Sequence, residues 1–139
     1  MATDARKWAE EEVAAWSTGD IDKILSFYAD DCVYEDIALG RVSNGMGELR
    51  VFVQDNFTAF PDFRVGLKSC FTSGDHVCIE SVISGTHKGD IPGLPPATGK
   101  AFSVRCAHIC ELREGKAFRV TDYYDMASIM RQLGLLPSP

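Results

Sequence analysis

Hydrophobic residues in the first part of the chain recur with the period of an α-helix. In residues 4–18 three large apolar side chains lie among acidic neighbours, and Gly19 follows as a stop signal, so this segment is predicted to form an amphipathic helix. Asp20 is predicted to cap a second, short helix whose apolar positions run from Ile21 to Tyr28. Both helices would turn an apolar face toward the rest of the protein.

In the next segment the spacing of hydrophobic residues changes twice. Residues 32–36 read as a first strand, and residues 40–47 contain turn-forming residues that predict an irregular break. Residues 48–60 return to helical spacing. Pro61 ends this predicted third helix, because proline disfavours helical backbone in the residue before it.

From residue 62 onward the period is close to two, which is typical of β-strands. Four strands are predicted, in residues 63–72, 77–87, 101–112 and 116–124, and they are expected to pair as an antiparallel meander. Residues 126–133 are predicted to close the chain as a helix. Helices followed by long antiparallel strands predict an α+β fold, in which helices cover a strongly curved sheet and side chains or a ligand fill its concave side.

Length, charge and cysteine content limit the classes of function. One domain, residues 1–139, is expected, because two cores of half this size would each be marginal. The formal net charge is -6 without a run of Lys or Arg, so neither nucleic acid nor an anionic membrane is an expected partner. No segment has the ~18 apolar residues of a membrane span, and no secretory signal is recognisable. Five scattered cysteines agree with reduced thiols, so a soluble cytoplasmic protein is expected.

One carboxylate is predicted to lie on an apolar strand face. Alternation along the last predicted strand places Phe118, Val120, Asp122 and Tyr124 on one side. A carboxylate among apolar side chains is costly to ionise, so Asp122 is predicted to take and give protons as a general acid/base, with its three neighbours in contact with the substrate. The alternative is that Asp122 lies in water at the strand end or bonds the start of the helix at residues 126–128.

The position of His108 relative to Asp122 depends on the turn between the last two strands. If Gly115 forms a left-handed bulge after a type I turn, Leu112 pairs with Lys116, and His108 and Asp122 are diagonal neighbours on one face, about 7 Å apart at Cβ. If the turn has only two residues, the two side chains lie on opposite faces. The apolar pattern favours the first arrangement, and a satisfied core histidine is the alternative to a catalytic one.

Other polar residues are further candidates for binding. Residues 106–110 carry Cys, His and Cys on one strand face, but zinc sites normally draw ligands from several elements, so no metal is expected. His87 stands at a strand end, where it either lines a pocket mouth or is partly exposed. Tyr34 and Tyr124 are the tyrosines expected to donate hydrogen bonds to a substrate oxygen.

Short motifs distributed over nearly the whole chain resemble one family. The motifs are Phe60-Pro61-Asp62-Phe63-Arg64-Val65, Gly85-Thr86-His87-Lys88-Gly89, Gly93-Leu94-Pro95-Pro96, Thr98-Gly99-Lys100, Asp122-Tyr123-Tyr124-Asp125 and Met130-Arg131-Gln132-Leu133-Gly134. In combination they resemble the SnoaL-like polyketide cyclase group of the nuclear-transport-factor-2-like superfamily. This resemblance implies a cone-shaped, curved, mostly antiparallel sheet with N-terminal helices packed on it, a homodimer formed through the outer sheet face, and no metal or organic cofactor.

The resemblance also implies roles for single residues. In the cyclases an aspartate that matches Asp122 is the general acid/base of an intramolecular aldol closure, and a histidine that matches His108 lies in the same pocket. The related limonene epoxide hydrolases add an Arg-x-Asp pair where this chain has Ser81 and Ile83, and ketosteroid isomerases place a protonated aspartate about where His108 lies. The chain departs from both patterns, which weakens the hydrolase and isomerase readings.

Together these observations predict a cofactor-independent enzyme that acts on a small, apolar carbonyl substrate. Asp122 would abstract a proton alpha to the carbonyl, and His108, helped by Tyr34, would stabilise the enolate or return the proton, so that ring closure or isomerisation follows. A noncatalytic module that binds an apolar ligand or dimerises is the alternative from another class. An epoxide hydrolase or dehydratase of the same fold would need a water held by partners that the sequence does not display.

Overall fold

The structure is a computed structural model that describes residues 4–137. This part of the chain holds four helices and one sheet of six strands. The elements are α1 Ala5–Trp16, α2 Ile21–Leu25, β1 Tyr28–Asp36, β2 Arg41–Asn44, α3 Gly45–Ala59, β3 Arg64–Ser73, β4 His76–Thr86, β5 Ala101–Arg113, β6 Lys116–Tyr124 and α4 Met126–Gln132. No helix within residues 4–137 is long and apolar enough to cross a membrane.

Aspartates begin three of these helices. Asp4, Asp20 and Asp125 each accept a hydrogen bond from the backbone N–H three residues further on, at 3.1, 3.1 and 3.2 Å. Each side chain thus satisfies a donor that the first helical turn leaves free. The predictions of α1, of the cap at Asp20 and of the closing helix α4 are confirmed.

The prediction that the second helix extends to Tyr28 is wrong. This helix ends at Leu25, and Tyr28 is the first residue of β1. The physical reason is a sheet contact that the local pattern does not contain: the backbone N–H of Ala117 donates to the carbonyl of Phe27 at 2.9 Å and draws the chain into the sheet. Tyr28 then faces the core as a strand residue.

The prediction of an irregular break in residues 40–47 is also wrong, because this segment contains β2. Gly40 has a φ of 67° and reverses the chain, so that β2 pairs antiparallel with β1. Only Ser43 of the four β2 residues is buried, so the strand carries no hydrophobic alternation that the sequence could reveal. Gly45, with a φ of 84°, then leads into α3.

The sheet has the strand order β2-β1-β6-β5-β4-β3. The predicted antiparallel meander of the last four strands, β3 to β6, is confirmed. In contrast, β1 joins the meander by pairing parallel to β6, with Asp36 beside Asp122 in register. Helix α1 packs on β3 and β4, and α3 packs on β1 and β2. The α+β fold with helices on a curved, mostly antiparallel sheet is therefore confirmed.

The turn between β5 and β6 differs from the favoured prediction. Arg113 pairs with Lys116, and only Glu114 and Gly115 lie between them. Their φ values of 52° and 79° are those of a two-residue turn in left-handed backbone, whose twist matches that of a hairpin. The predicted pairing of Leu112 with Lys116 is thus wrong.

A β-bulge in β6 nevertheless leaves Asp122 on the same face of the sheet as His108. Ala117 pairs with Leu112 and Arg119 pairs with Glu111, so that Phe118 is an extra residue without a partner. The bulge turns Phe118 away from the core, where its ring lies 4.9 Å from the guanidinium of Arg113. From Arg119 onward the alternation is shifted, and Asp122 faces the concave side.

Candidate functional site

A cavity of about 950 Å³, its open mouth included, lies between the concave face of the sheet and the helices. Every strand, three of the four helices and the loop of residues 88–100 contribute to its walls. Most of the wall is apolar and aromatic, and polar side chains gather at a few points. This is the usual composition of a pocket for a small molecule.

Asp122 projects into this cavity from β6 and is 6% exposed. The hydroxyl of Tyr34 donates to Asp122 Oδ2 at 2.7 Å, and His108 Nδ1 lies 2.5 Å from Oδ1. The prediction that Asp122 shares an apolar, buried face is confirmed, and the alternatives in which it is solvated or caps a helix are wrong, because Asp125 caps α4. We call Asp122, His108 and Tyr34 the carboxylate cluster.

His108 lies directly opposite Asp122 in the β5–β6 ladder, not diagonal to it. Its Nε2 lies 3.3 Å from the hydroxyl oxygen of Ser81 and 3.6 Å from the thiol of Cys106. Burial alone would lower the pKa of His108, but the charge of the Asp122 carboxylate and the hydrogen bond to it raise that pKa well above its usual value. His108 is therefore an imidazolium whose two N–H groups both have partners.

Asp36 is a second carboxyl group in the cavity, and the sequence analysis did not single it out. It is 3% exposed and accepts hydrogen bonds from the backbone N–H of Leu39 at 2.9 Å and from the hydroxyl of Tyr124 at 2.8 Å. Burial raises the pKa of Asp36 to about 6; the negative charge of Asp122 adds to this, and the two hydrogen bonds oppose it. Alternation along β1 puts Asp36 on the face of Tyr34, and this is the sequence signal that points to it.

A third buried carboxyl group, Glu12 of α1, supports this region from outside the cavity wall. The hydroxyl of Tyr28 donates to Glu12 at 2.7 Å, and the indole N–H of Trp16 donates to that hydroxyl at 2.8 Å. Burial raises the pKa of Glu12, while the positive charge of His108 lowers it. The imidazolium is thus surrounded by acidic groups on more than one element.

His87 lies at the other end of the cavity, just past β4. Its backbone is held on both sides, because its N–H donates to Lys100 and its carbonyl accepts from Gly99, at 2.9 and 2.8 Å. The ring is 1% exposed, lies 5.5 Å from the ring of Phe60, and has no hydrogen-bond partner for either nitrogen among the described residues. The alternative of a partly exposed strand-end histidine is wrong.

Two predicted contact residues do not reach the cavity. Val120 is buried in the core beneath it, and Phe118 points to the other face because of the bulge. The prediction that Phe118 shares the face of Asp122 is wrong. Tyr34, His87, His108, Asp122 and Tyr124 all line the cavity.

The cysteines and other possible metal ligands form no ligand cage in the part of the chain that the structure describes. Within residues 4–137, no three side chains of His, Cys, Asp or Glu are arranged to hold a metal ion. All five cysteines are free thiols, and Cys106 alone among them lines the cavity. In residues 106–110 the histidine is bonded to Asp122 instead.

A family model that matches most of the chain identifies the family of this protein. The model of the family described as SnoaL-like polyketide cyclase matches residues 7–133. The chain belongs to this family. The resemblance seen in the motifs is confirmed, and membership supports an enzyme of the cyclase or isomerase type. A comparison with curated proteins found no match.

Solved structures share the fold of this SnoaL-like chain. AclR from Streptomyces galilaeus is 24% identical with a TM-score of 0.82, over 98% of this chain and 84% of that one. A protein with a ketosteroid isomerase-like fold from Catenulispora acidiphila, in complex with trimethylamine, is 25% identical with a TM-score of 0.80, over 99% of both chains. TsrD from Streptomyces laurentii is 25% identical with a TM-score of 0.80, over 94% of this chain and 95% of that one. At these identities the likeness supports the fold, and function must be argued from the site.

Proposed function

We propose that this SnoaL-like protein is a cofactor-independent cyclase or isomerase that moves a proton at a carbon next to a carbonyl group. One observation carries the proposal: a buried carboxylate opens onto an apolar cavity and is held in place by a tyrosine hydroxyl and an imidazolium. Each oxygen of Asp122 has one partner and keeps lone pairs, so the group can still accept a proton from a substrate.

Asp122 is the base in this proposal. It takes the proton from the carbon, the electron pair of the C–H bond moves into the carbonyl group, and an enolate results. In an isomerisation Asp122 returns the proton to another carbon. In a ring closure the enolate carbon bonds to a second carbonyl carbon of the same molecule, and Asp122 gives its proton to the new alkoxide. His108 positions Asp122 and balances its charge through Nδ1, while Nε2 is held by the hydroxyl of Ser81.

The pair of Asp36 and Tyr124 is the donor to the enolate oxygen. When Asp36 is protonated, it can donate to the oxygen of Tyr124, which frees the Tyr124 hydroxyl to donate to the substrate. Because the pKa of Asp36 is about 6, activity is expected to fall as the pH rises through this value. The variant Asp36→Asn keeps a donor toward Tyr124 at every pH, so this loss should be absent from its pH profile.

The test of the base is deuterium exchange at the alpha carbon of an apolar bicyclic ketone, 2-tetralone, followed by NMR in D₂O. The wild type should accelerate exchange, and Asp122→Asn should lose on the order of 10²-fold or more of that rate, the usual effect of a positioned acid/base. Asp125→Asn is the matched control, since Asp125 lies three residues further on and only caps α4. Equal rates in Asp122→Asn and wild type would exclude Asp122 as the base.

The proposal includes a homodimer in the cytoplasm, with small apolar carbonyl compounds as substrates. Three large side chains on strands β3, β5 and β6 are exposed: Phe71 by 67%, Ile109 by 42% and Tyr123 by 47%. Phe71 and Ile109 lie on one line across the sheet through Cys78, so they form a shared apolar patch. A second copy of the chain would cover it. Native mass spectrometry should give twice the mass of the chain, and Phe71→Glu should give monomers.

A further inference from the structure

We propose that His87 is a second recognition point of the cavity, which hydrogen-bonds an oxygen at the far end of an elongated and otherwise apolar substrate. The inference rests on the proposed function, because it concerns the same cavity and the same substrate. It adds the class of substrate: a long, largely hydrocarbon molecule with a reactive carbonyl at one end and a hydroxyl or carbonyl oxygen at the other.

The first argument is the state of the ring. His87 is 1% exposed, and neither Nδ1 nor Nε2 has a partner among the described residues, although the ring lines the cavity. Buried polar groups in proteins are almost always hydrogen-bonded, because leaving them without a partner costs free energy. The ligand of the cavity is the group that can supply this partner. An imidazole presents a donor and an acceptor, and a hydroxyl group can bond either.

The second argument is that the ring is held in place. The backbone of His87 is clamped between Lys100 and Gly99. The next residues are fixed to the end of α3, because the N–H groups of Lys88 and Gly89 both donate to the carbonyl of Ala59. Such a support keeps the imidazole directed at one place, which is what recognition of a single ligand atom requires.

The third argument is the position of His87 relative to the carboxylate cluster. On β4, Ile79 lies opposite His108, and His87 lies eight residues further along the same direction. At ~3.3 Å per residue this is a contour of about 26 Å, which the curvature of the sheet shortens inside the cavity. On the sheet side, Ile83 and Phe102 lie between the two ends and are apolar. A single ring cannot contact both ends, whereas a fused-ring or long-chain molecule can.

The experiment uses two steroid ketones, estrone and 3-deoxyestrone, as probes. They share a rigid apolar body with a ketone at one end, and only estrone has a hydroxyl at the other. The pair tests the contact at His87 alone, so neither probe has to reach the carboxylate cluster. We expect the wild type to bind estrone about fivefold more tightly, the factor that one net hydrogen bond of typical strength, about 1 kcal/mol, gives. The variant His87→Phe should bind both probes equally, and His76→Phe, the same change at an exposed histidine of β4 that does not line the cavity, should keep the preference.

A direct readout covers the case in which His87→Phe folds poorly. In wild-type protein, the ¹⁵N resonances of the His87 ring should shift with estrone and stay unchanged with 3-deoxyestrone. A wild type that does not discriminate, a preference that survives in His87→Phe, or binding of neither probe would overturn the proposal. Failure of the proposed function is separable, because it would appear as absence of alpha-proton exchange, while the preference for estrone would persist in wild type and in Asp122→Asn.

Discussion

The two ends of the cavity differ in whether their buried polar side chains have hydrogen-bond partners. At the carboxylate cluster, Asp122, His108 and Tyr34 satisfy one another, and the neighbouring Asp36 and Tyr124 do the same. At the far end, His87 has a fixed backbone and a buried ring, but no partner for its nitrogens among the described residues. The first end is a network that is complete without a ligand, as expected of groups that hold a catalytic geometry. The second is a contact that a ligand would complete.

The largest predicted effect is the loss of the imidazolium. His108→Leu leaves the Asp122 carboxylate buried beside an apolar side chain, and breaking a buried ion pair in this way costs about 3–5 kcal/mol of the free energy of unfolding. Urea denaturation at pH 6 measures it. Ser81→Ala, which removes only the weaker contact at Nε2, is the control and should cost about 1 kcal/mol. A loss below 1 kcal/mol in His108→Leu would contradict the ion pair.

The pH dependence of this pair has a definite sign. The folded pKa of His108 is raised, so its stabilising contribution is complete below the unfolded value of 6.5 and is lost as the pH rises through the folded value. The difference in the free energy of unfolding between wild type and His108→Leu should therefore become smaller at alkaline pH. A deficit that widens there would mean that the histidine is neutral in the folded protein.

The next effect concerns Asp36, whose replacement is expected to stabilise the protein, whereas replacement of His108 destabilises it. Its pKa rises from 3.8 in the unfolded chain to about 6 in the folded protein, so stability falls as the pH rises from about 4 to about 6 and is level above this range. The shift corresponds to roughly 3 kcal/mol, since one pKa unit equals about 1.4 kcal/mol. Asp36→Asn should therefore unfold at higher urea than wild type at pH 8, and this advantage should vanish at pH 4. If Asp36→Asn and wild type differed in stability by the same amount at pH 8 and pH 4, ionisation of Asp36 would be excluded as the cause.

A smaller effect is expected from the support of the far end. A Cβ on Gly89 would lie 1.8 Å from the carbonyl oxygen of Thr58, so Gly89→Ala must displace the backbone that follows His87. We expect a loss of about 1–3 kcal/mol, the usual cost of overpacking, together with weaker binding of estrone. Gly47→Ala in α3 is the control, because nothing lies within 4 Å of its Cβ, and alanine is the better helix former. The ring resonances of His108 should stay unchanged in both variants.

The smallest effect sharpens the contrast between the two histidines. Replacing a buried polar group that has no partner by an apolar one is nearly neutral or stabilising, so His87→Phe should change stability by at most about 1 kcal/mol, and upward if at all. His87→Gln keeps a polar group without a partner and should gain nothing. Thermal unfolding of the ligand-free proteins measures both. A loss of several kcal/mol in His87→Phe would show that the ring holds the fold rather than a ligand.

The local features of this protein follow from the order of its residues. Periodicity located α1, α3 and the four-stranded meander, Asp20 marked the start of α2, and alternation along the last strand put Asp122 on an apolar face. These properties depend on neighbours a few residues apart, so they can be read from the chain. The family resemblance rests on the same kind of short motif.

Which of these residues come into contact depends on how distant segments pair and pack. The parallel pairing of β1 with β6 brings Asp36 beside Asp122, and a single bulge residue, Phe118, decides that His108 faces Asp122 rather than the opposite side. The burial of His87 depends on Phe60, which follows α3 and is distant from His87 in sequence. Strand register and side-chain burial are set by contacts between segments that are distant in sequence. The free energy of these contacts depends on how the whole molecule packs, so a local sequence pattern does not contain it.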